Sequence, residues 1–342
     1  MKNTRLPLRI SASLPGATDK RLASLVTLFA NNATIAISGA RIAREIGVSR
    51  STVWRWIEQL REVGVRVKGR PHTGYFLERV PDILTPELLR QRLKGSLFGK
   101  RIYHFFKTES TNRVSMELGY AGEPEGAVIL AEEQTAGRGR AGRHWYSERA
   151  AGIYVTLLLR PKISPVEAPL LTMLAGVSAH AAIQAQTGLE LDLKWPNDLM
   201  LNGKKLGGIL TEMYADTSLV HFVIVGIGIN VNQEKFPGEL GGMATSLRLE
   251  AAKQQPRLEL LARLLREFET DYNRFLREGA GAVTARFSKV SSYAVGKRVR
   301  VNNGSETFTG VTAGLAPEGL LQVQVEGGKV VTVIAGDVTE SR

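Results

Sequence analysis

Two short stretches near the start of the chain repeat apolar residues at helical spacing. Ile42, Ala43 and Ile46 share one face, and Val53, Ile57 and Leu60 share another. Gly47 and Val48 break the pattern between them. Ser49 is a good N-cap for the second helix, because its hydroxyl can accept an otherwise orphaned backbone N–H. Val65 and Val67 then alternate with Arg66 and Lys68, and Gly69, Pro71 and Gly74 punctuate, which predicts strand, tight loop, strand. Helix, turn, helix and hairpin in that order make a winged helix-turn-helix. Further on, Thr85 and Pro86 predict the N-cap and first residue of a short helix. "GAVILAEE" (Gly126–Glu133) and the apolar run Gly152–Leu159 predict buried strands. Leu189, Leu191 and Leu193 alternate with Glu190, Asp192 and Lys194, a strand that ends at Trp195-Pro196. Asn202-Gly203 predicts a hairpin that pairs Leu199–Leu201 with Lys205–Met213. "HFVIVGIGINVN" predicts another strand. Ser164-Pro165 opens one helix that Gly188 closes, and "RLELLARLLREFETDYNRFLREG" predicts a long amphipathic helix ending near Gly279. Both helices should cover one face of an α+β body. The C-terminal stretch has short β-type segments separated by Asn-Gly, Pro-Glu-Gly and Gly-Gly turns.

Charge changes the picture at one end only. The chain of 342 residues carries a net charge of +12, yet residues 1–100 hold 18 Lys+Arg against 7 Asp+Glu, and the rest is nearly neutral. A basic surplus coinciding with a helix-turn-helix points to duplex DNA, the second helix entering the major groove. Ser49, Arg50, Ser51, Thr52, Trp54 and Arg55 are the candidate DNA contacts. There is no cysteine, which excludes disulfides and thiolate chemistry and fits a reducing cytoplasm. Apolar runs such as "GIYVTLLL" are too short for a bilayer, and "MKNTRLPLRISASLPG" lacks the apolar core of a signal peptide. The expectation is a cytoplasmic protein without a membrane partner.

The stretch "TAGRGRAGRHW", Thr135–Trp145, contains G-x-G-x-x-G. A dinucleotide fingerprint needs a helix opening inside it, and here the next element reads as a strand. Kinase and P-loop signatures are missing too. Glycines allow close backbone approach and arginines present rigid forks, so the loop suits a carboxylate or phosphate. Its cations lack counter-charges in sequence, so it should order when an anion binds; an ordinary surface loop would share this composition. Lys194, fixed beside Trp195-Pro196, is a second anion-binding candidate. Gly226, Gly228 and Asn230 could form a wall against a ligand, or simply pack the sheet tightly.

Together these motifs resemble the bifunctional biotin–protein ligase and biotin operon repressor family. The resemblance rests on "ESTN" (Glu109–Asn112), "EQTAGRGRAGRHW" (Glu133–Trp145), "KWPNDL" (Lys194–Leu199) and "VGIGINVN" (Val225–Asn232), in that order behind a winged helix. It implies a winged-helix domain over residues 1–80, a helical linker over 81–100, a mixed-sheet domain of the biotin/lipoate ligase type over 101–284, and an SH3-like small barrel over 285–342. It implies that biotin and ATP, with Mg²⁺, give biotinoyl-AMP, which acylates a lysine of a biotin carboxyl carrier protein. The adenylate would also be corepressor for a homodimer on operator DNA. Carried over by motif, Ser110, Thr111, Asn112 and Gln134 would bind the uncharged ureido ring. Gly137, Arg138, Gly139 and Arg140 would close over carboxylate and phosphate, with Gly142, Arg143 and Trp145 completing the adenylate loop. Lys194 would bridge carboxylate and α-phosphate, and Lys194, Arg138 and Arg140 are the catalytic candidates. Ala141 and Arg113 depart from the family pattern. A ligand sensor without catalysis and a lipoate ligase are the rival readings.

Overall fold

The computed structural model describes residues 20–32, 35–62, 65–70, 73–77 and 82–341. The N-terminal stretch read for a signal peptide, Pro71 of the wing, and residues 78–81 at the expected domain junction lie outside the described residues. Within them, α1 (Lys20–Asn31), α2 (Gly39–Ile46) and α3 (Arg50–Glu62) precede a hairpin of β1 (Val67–Arg70) and β2 (Gly74–Leu77). Ser38 caps α2, Gly47 ends it in the left-handed region, and the Ser49 hydroxyl accepts the Thr52 N–H at 3.1 Å. The expected apolar faces of α2 and α3 meet in one core, to which Trp56, Phe29 and Ile37 also contribute.

The short helix α4 (Pro86–Arg92) follows, capped by Thr85 with Pro86 in its first turn. Leu84, Leu89, Leu93 and Phe98 of this segment share the core of the central sheet. The central elements are β3 (Arg101–Phe105), α5 (Thr111–Tyr120), β4 (Ala127–Ala131), β5 (Gly152–Leu159), α6 (Leu170–Thr187), β6 (Asp192–Lys194), β7 (Asp198–Leu201), β8 (Lys204–Ala215) and β9 (Val220–Asn230). After them come α7 (Leu240–Met243), α8 (Leu247–Ala251), α9 (Arg257–Glu278) and α10 (Ala280–Lys289). The seven strands are ordered β3-β4-β5-β9-β8-β7-β6. Only β3 and β4 pair in parallel, because α5 makes the crossover a parallel pair requires. The sheet is therefore mixed. Helices α6 and α9 pack together on one face, as expected; α5 covers the other, over Ile129, Leu158 and Ile224.

Two expected elements differ. The helix expected from Ser164 is broken: a 3₁₀ turn, Pro165–Glu167, has a Ser164–Glu167 capping box, and α6 starts after Pro169. Proline has no N–H for a continuous helix and its ring obstructs the preceding turn. The strand expected from Leu189 is confined to Asp192–Lys194, an edge strand paired only with β7. The segment Pro165–Thr187 is long and apolar enough to cross a membrane, but 78% of its most apolar window is buried inside the protein. It is the central core helix.

The C-terminal strands β10 (Val295–Asn302), β11 (Thr307–Leu315), β12 (Leu321–Gln324), β13 (Val330–Val333) and β14 (Asp337–Glu340) form an antiparallel five-stranded sheet. It is seated on the central body. Trp195 Nε1 donates to the Gly319 carbonyl at 2.9 Å, and Ser291 Oγ donates to the Leu193 carbonyl at 2.5 Å. This seating brings β14 beside the ends of β6 and β7.

Candidate functional site

One large cavity, about 360 Å³, opens over β5, β8 and β9. The start of α5, the glycine–arginine loop, Lys194–Asp198, and Gly336–Thr339 of the C-terminal sheet surround it. Most of the sequence-derived small-molecule site candidates line it: Ser110, Thr111, Asn112, Gln134, Arg138, Gly139, Arg140, Arg143, Trp145, Lys194, Gly226, Gly228 and Asn230. Gly137 and Gly142 belong to the same loop without bordering the cavity. Ser49, Arg50, Ser51, Thr52, Trp54 and Arg55 lie apart, on α3 and its cap.

One end of the cavity is lined by the uncharged polar side chains of Ser110, Thr111, Asn112 and Gln134. Gln134 Oε1 accepts the Thr111 N–H at 2.8 Å and the Thr111 hydroxyl at 3.1 Å, while Gln134 Nε2 donates to Ser147 Oγ at 3.0 Å. Thr156 Oγ1 lies 2.8 Å from Thr111 Oγ1 and 2.7 Å from Asn112 Oδ1. Asn112 Nδ2 donates to Glu212 at 2.8 Å. Ser110 is the N-cap residue of α5 by position, yet its side chain makes no capping bond. Thr156, Ser147 and Glu212 were missed in the sequence. Thr156 left one trace there, as the lone polar side chain in an otherwise apolar buried strand.

The other end is cationic. The structure corrects the expectation that the loop's cations stand uncompensated, because the body supplies partners. Arg138 Nη1 is 3.6 Å from Glu212 Oε1, Arg140 Nη1 donates to Asn197 Oδ1 at 3.0 Å, and Arg143 Nη2 donates to Asp337 Oδ1 at 2.7 Å. Lys205, not singled out in the sequence, adds a cation, its Nζ 2.6 Å from Asp198 Oδ1. Burial lowers the Lys194 pKa, Asp198 opposes that, and Lys205 reinforces it. Burial likewise lowers that of Arg140, against Asp337 and Asp198. Desolvated cations converging on one cavity end bind an anion more strongly than surface cations would.

The loop is built as a tight hairpin. Trp145 N–H donates to the Gly137 carbonyl at 2.8 Å and Gly139 N–H to the Arg143 carbonyl at 2.7 Å. At its tip, Ala141 (φ 53°, ψ 36°) and Gly142 (φ 73°) are both left-handed. Successive left-handed residues make a type I′ turn. Ala141 is therefore a turn residue rather than an extra anion ligand. Arg113 is also explained: it pairs with Glu109 and Glu117 on the exposed side of α5.

Gly226 and Gly228 face protein side chains as closely as they face the cavity. A Cβ at Gly226 would lie 2.0 Å from Asn112 Oδ1, and one at Gly228 would lie 2.6 Å from the Trp145 ring. The Trp145 Nε1 is buried without a hydrogen-bond partner. A buried donor of this kind normally has an acceptor, so it fits a ligand that offers one. Phe236, Leu240 and Met243 give the cavity mouth an apolar border. Among the described residues, no group of three or more His, Asp or Glu could hold a metal ion.

Fold and site thus define a mixed-sheet, carboxylate- or phosphate-binding domain joined to a helix-turn-helix domain. The sequence matches the biotin/lipoate A/B protein ligase family over residues 105–230, an HTH domain over 21–76 and the biotin protein ligase C-terminal domain over 294–339. It is 38% identical over 310 residues to the bifunctional ligase/repressor BirA of Bacillus subtilis, covering 89% of this chain and 94% of that one. It is 28% identical over 291 residues to the Escherichia coli protein of the same name, covering 85% and 88%. The biotin protein ligase of Aquifex aeolicus, solved with biotin and ATP, superimposes with a TM-score of 0.61 at 30% identity, covering 71% of this chain and 99% of that one. The chain belongs to the bifunctional biotin ligase/repressor family.

Proposed function

We infer that this protein is an ATP-dependent biotin–protein ligase that also represses transcription. The observation that carries the ligase reading is the polarity of the cavity. An end lined by uncharged hydrogen-bonding side chains suits a ureido ring, which offers donors and an acceptor. A desolvated cationic end suits a carboxylate meeting a phosphate. Ser110, Thr111, Asn112 and Gln134 hold the ring. Lys194, Arg138 and Arg140 neutralise the carboxylate and the α-phosphate so that two anions can meet.

A carboxylate oxygen of biotin attacks the α-phosphorus, the new O–P bond forms, and pyrophosphate leaves with the electrons of the broken bond. The developing negative charge sits on phosphoryl oxygens, where fixed cations stabilise it without reorganising. Mg²⁺ carried by ATP would neutralise part of its triphosphate charge. Trp145, Phe236, Leu240 and Met243 cover the adenine side. In the second step a neutral lysine amine of a biotin carboxyl carrier protein attacks the acyl carbon, AMP leaves, and the amine loses a proton. Positioning and electrostatics do the work, with no covalent enzyme intermediate.

The repressor function belongs to α3, whose exposed face carries Arg50, Arg55 and Trp54. Biotinoyl-AMP acts as corepressor by ordering the loop and favouring a homodimer on operator DNA. The protein works in the cytoplasm, where its carrier and operator are. Biotin-dependent ATP–pyrophosphate exchange tests the reading. Exchange with biotin supports it; exchange with lipoate alone indicates a lipoate ligase; no exchange with either indicates a sensor without catalysis.

A further inference from the structure

A buried ionic junction lies behind the cavity and does not line it. Arg257, in the first turn of α9, is fully buried. Its Nη1 donates to the Gly152 carbonyl at 2.9 Å, and its Nη2 lies 2.9 Å from Glu132 Oε2. Its Nε donates to Asp82 Oδ2 at 3.0 Å, and Nη2 also donates to the Asp82 carbonyl. Glu132 Oε1 accepts the Leu84 N–H at 2.8 Å and lies 3.2 Å from His104 Nε2.

These partners come from two places that matter. Glu132 directly follows β4 and Gly152 opens β5, so they are the two stems of the segment carrying the glycine–arginine loop. The Ala150 N–H donates to the Glu132 carbonyl at 2.9 Å and closes the base between them. Asp82 and Leu84 belong to the chain between the wing and α4. Asn232, which follows β9, adds a 3.4 Å contact to Asp82 Oδ2 and donates to the Gln255 carbonyl beside α9 at 2.9 Å. Burying charges costs desolvation that an apolar cluster of the same shape would avoid, so such a cluster is better suited to fixing one arrangement than to adding stability.

We propose that Arg257 is a positioning residue that locks both stems of the glycine–arginine loop to the chain joining the DNA-binding and ligase domains. Loop and junction then form one coupled unit. A ligand that orders the loop also orders the junction, and a loosened junction loosens the loop, because coupling free energy is reciprocal. The proposal rests on the reading of the loop as the part that closes over biotin.

Hydrogen exchange of the full chain, followed by mass spectrometry with and without biotin, tests it, with biotin binding measured in parallel by calorimetry. In the wild type, biotin should slow exchange in the loop (133–151) and at the junction (82–85) together. In Asp82→Asn the junction should no longer respond, and biotin affinity should fall about tenfold, within the usual range of site-to-site coupling. Arg257→Lys keeps the charge but cannot reach all partners at once, and should act in the same direction. Thermal melting of each variant separates lost stability from lost coupling: a lower Tm with both responses intact overturns the proposal. So does a wild type in which biotin protects the loop and leaves 82–85 unchanged. If calorimetry shows no biotin binding to the wild type, the ligase reading falls and this proposal falls with it.

Discussion

Lys205 Nζ lies 2.6 Å from Asp198 Oδ1, and the same aspartate is the leading counter-charge for Lys194. Two lysines thus share one carboxylate at the cationic end of the cavity. Burial lowers the Lys194 pKa, and Lys205 adds to that. Because the folded pKa lies below the ordinary lysine value of about 10.4, Lys194 loses its proton, and its pull on the α-phosphate, earlier than an exposed lysine. ATP–pyrophosphate exchange should therefore decline on the alkaline side at a lower pH than an exposed lysine would give. Asp198→Asn removes the main opposing charge and should move that decline to lower pH. An unmoved alkaline limb would rule out Lys194 as the titrating group. Lys194→Ala should lower kcat by roughly 10²–10³, the cost of losing one fixed transition-state charge partner.

The approach of Asn112 to Gly226 gives a second expectation. A Cβ at position 226 would sit 2.0 Å from Asn112 Oδ1, so the asparagine must move. Asn112 is held by Thr156, Glu212 and the Leu210 carbonyl, and cannot swing away freely. Gly226→Ala should weaken biotin binding at least tenfold and destabilise the fold by about 1–3 kcal/mol, as overpacked sites do. Gly281→Ala is the control, since nothing lies within 4 Å of its Cβ. Calorimetry with biotin and a denaturant titration of both variants give the comparison.

Much of this was legible in the sequence because local rules were strong there. Ser49 as a cap, Asn202-Gly203 as a hairpin and Thr85-Pro86 as a helix start each depend on neighbouring residues alone. The motif residues converge because they sit at the start of α5, on one loop, at the end of β6 and along β9, which the sheet brings to one place. What was not legible depends on distant partners. Asp337 is 194 positions from Arg143, and nothing near the loop announces it. Arg257 reads as an ordinary charge opening an amphipathic helix until Asp82 and Glu132 are brought to it. The break at Pro169 was legible in principle, since proline interrupts helices locally, but the apolar run around it hid the signal.

The buried Glu132 makes stability depend on acid. Burial alone would raise its pKa, but Arg257, His104 and the Leu84 N–H together hold it at about 2. A carboxyl whose folded pKa lies below its unfolded one contributes stability above the unfolded value and loses it as pH falls toward the folded value. The window here runs from the ordinary glutamate value of 4.5 down to about 2. A shift of that size corresponds to about 3 kcal/mol. Glu132→Gln should flatten the fall in urea-unfolding free energy across this window. At neutral pH it should cost about 3–5 kcal/mol, because Arg257 loses a buried partner. A variant with the wild-type acid dependence would assign that dependence to other carboxyls held below their ordinary range; Asp82 is not one of them, because burial raises its pKa and reverses the sign.

The helix α3 supplies the last expectation. Arg50 and Arg55 are exposed on it, and Trp54 between them is 58% exposed, an unusual position for a tryptophan on a small domain. The buried face of the same helix is fully occupied by Val53, Trp56, Ile57 and Leu60, so the outer face is available for a partner. If the arginines contact phosphates, each displaces condensed counterions. Arg50→Ala and Arg55→Ala should then weaken duplex binding across sequences and make the slope of log affinity against log salt shallower by about one each. Trp54→Ala, which removes no charge, should weaken binding without changing the slope. Titrations of labelled duplex at several salt concentrations, with biotin and ATP present, separate these effects. Unchanged affinity and slope in both arginine variants would remove α3 from the DNA interface.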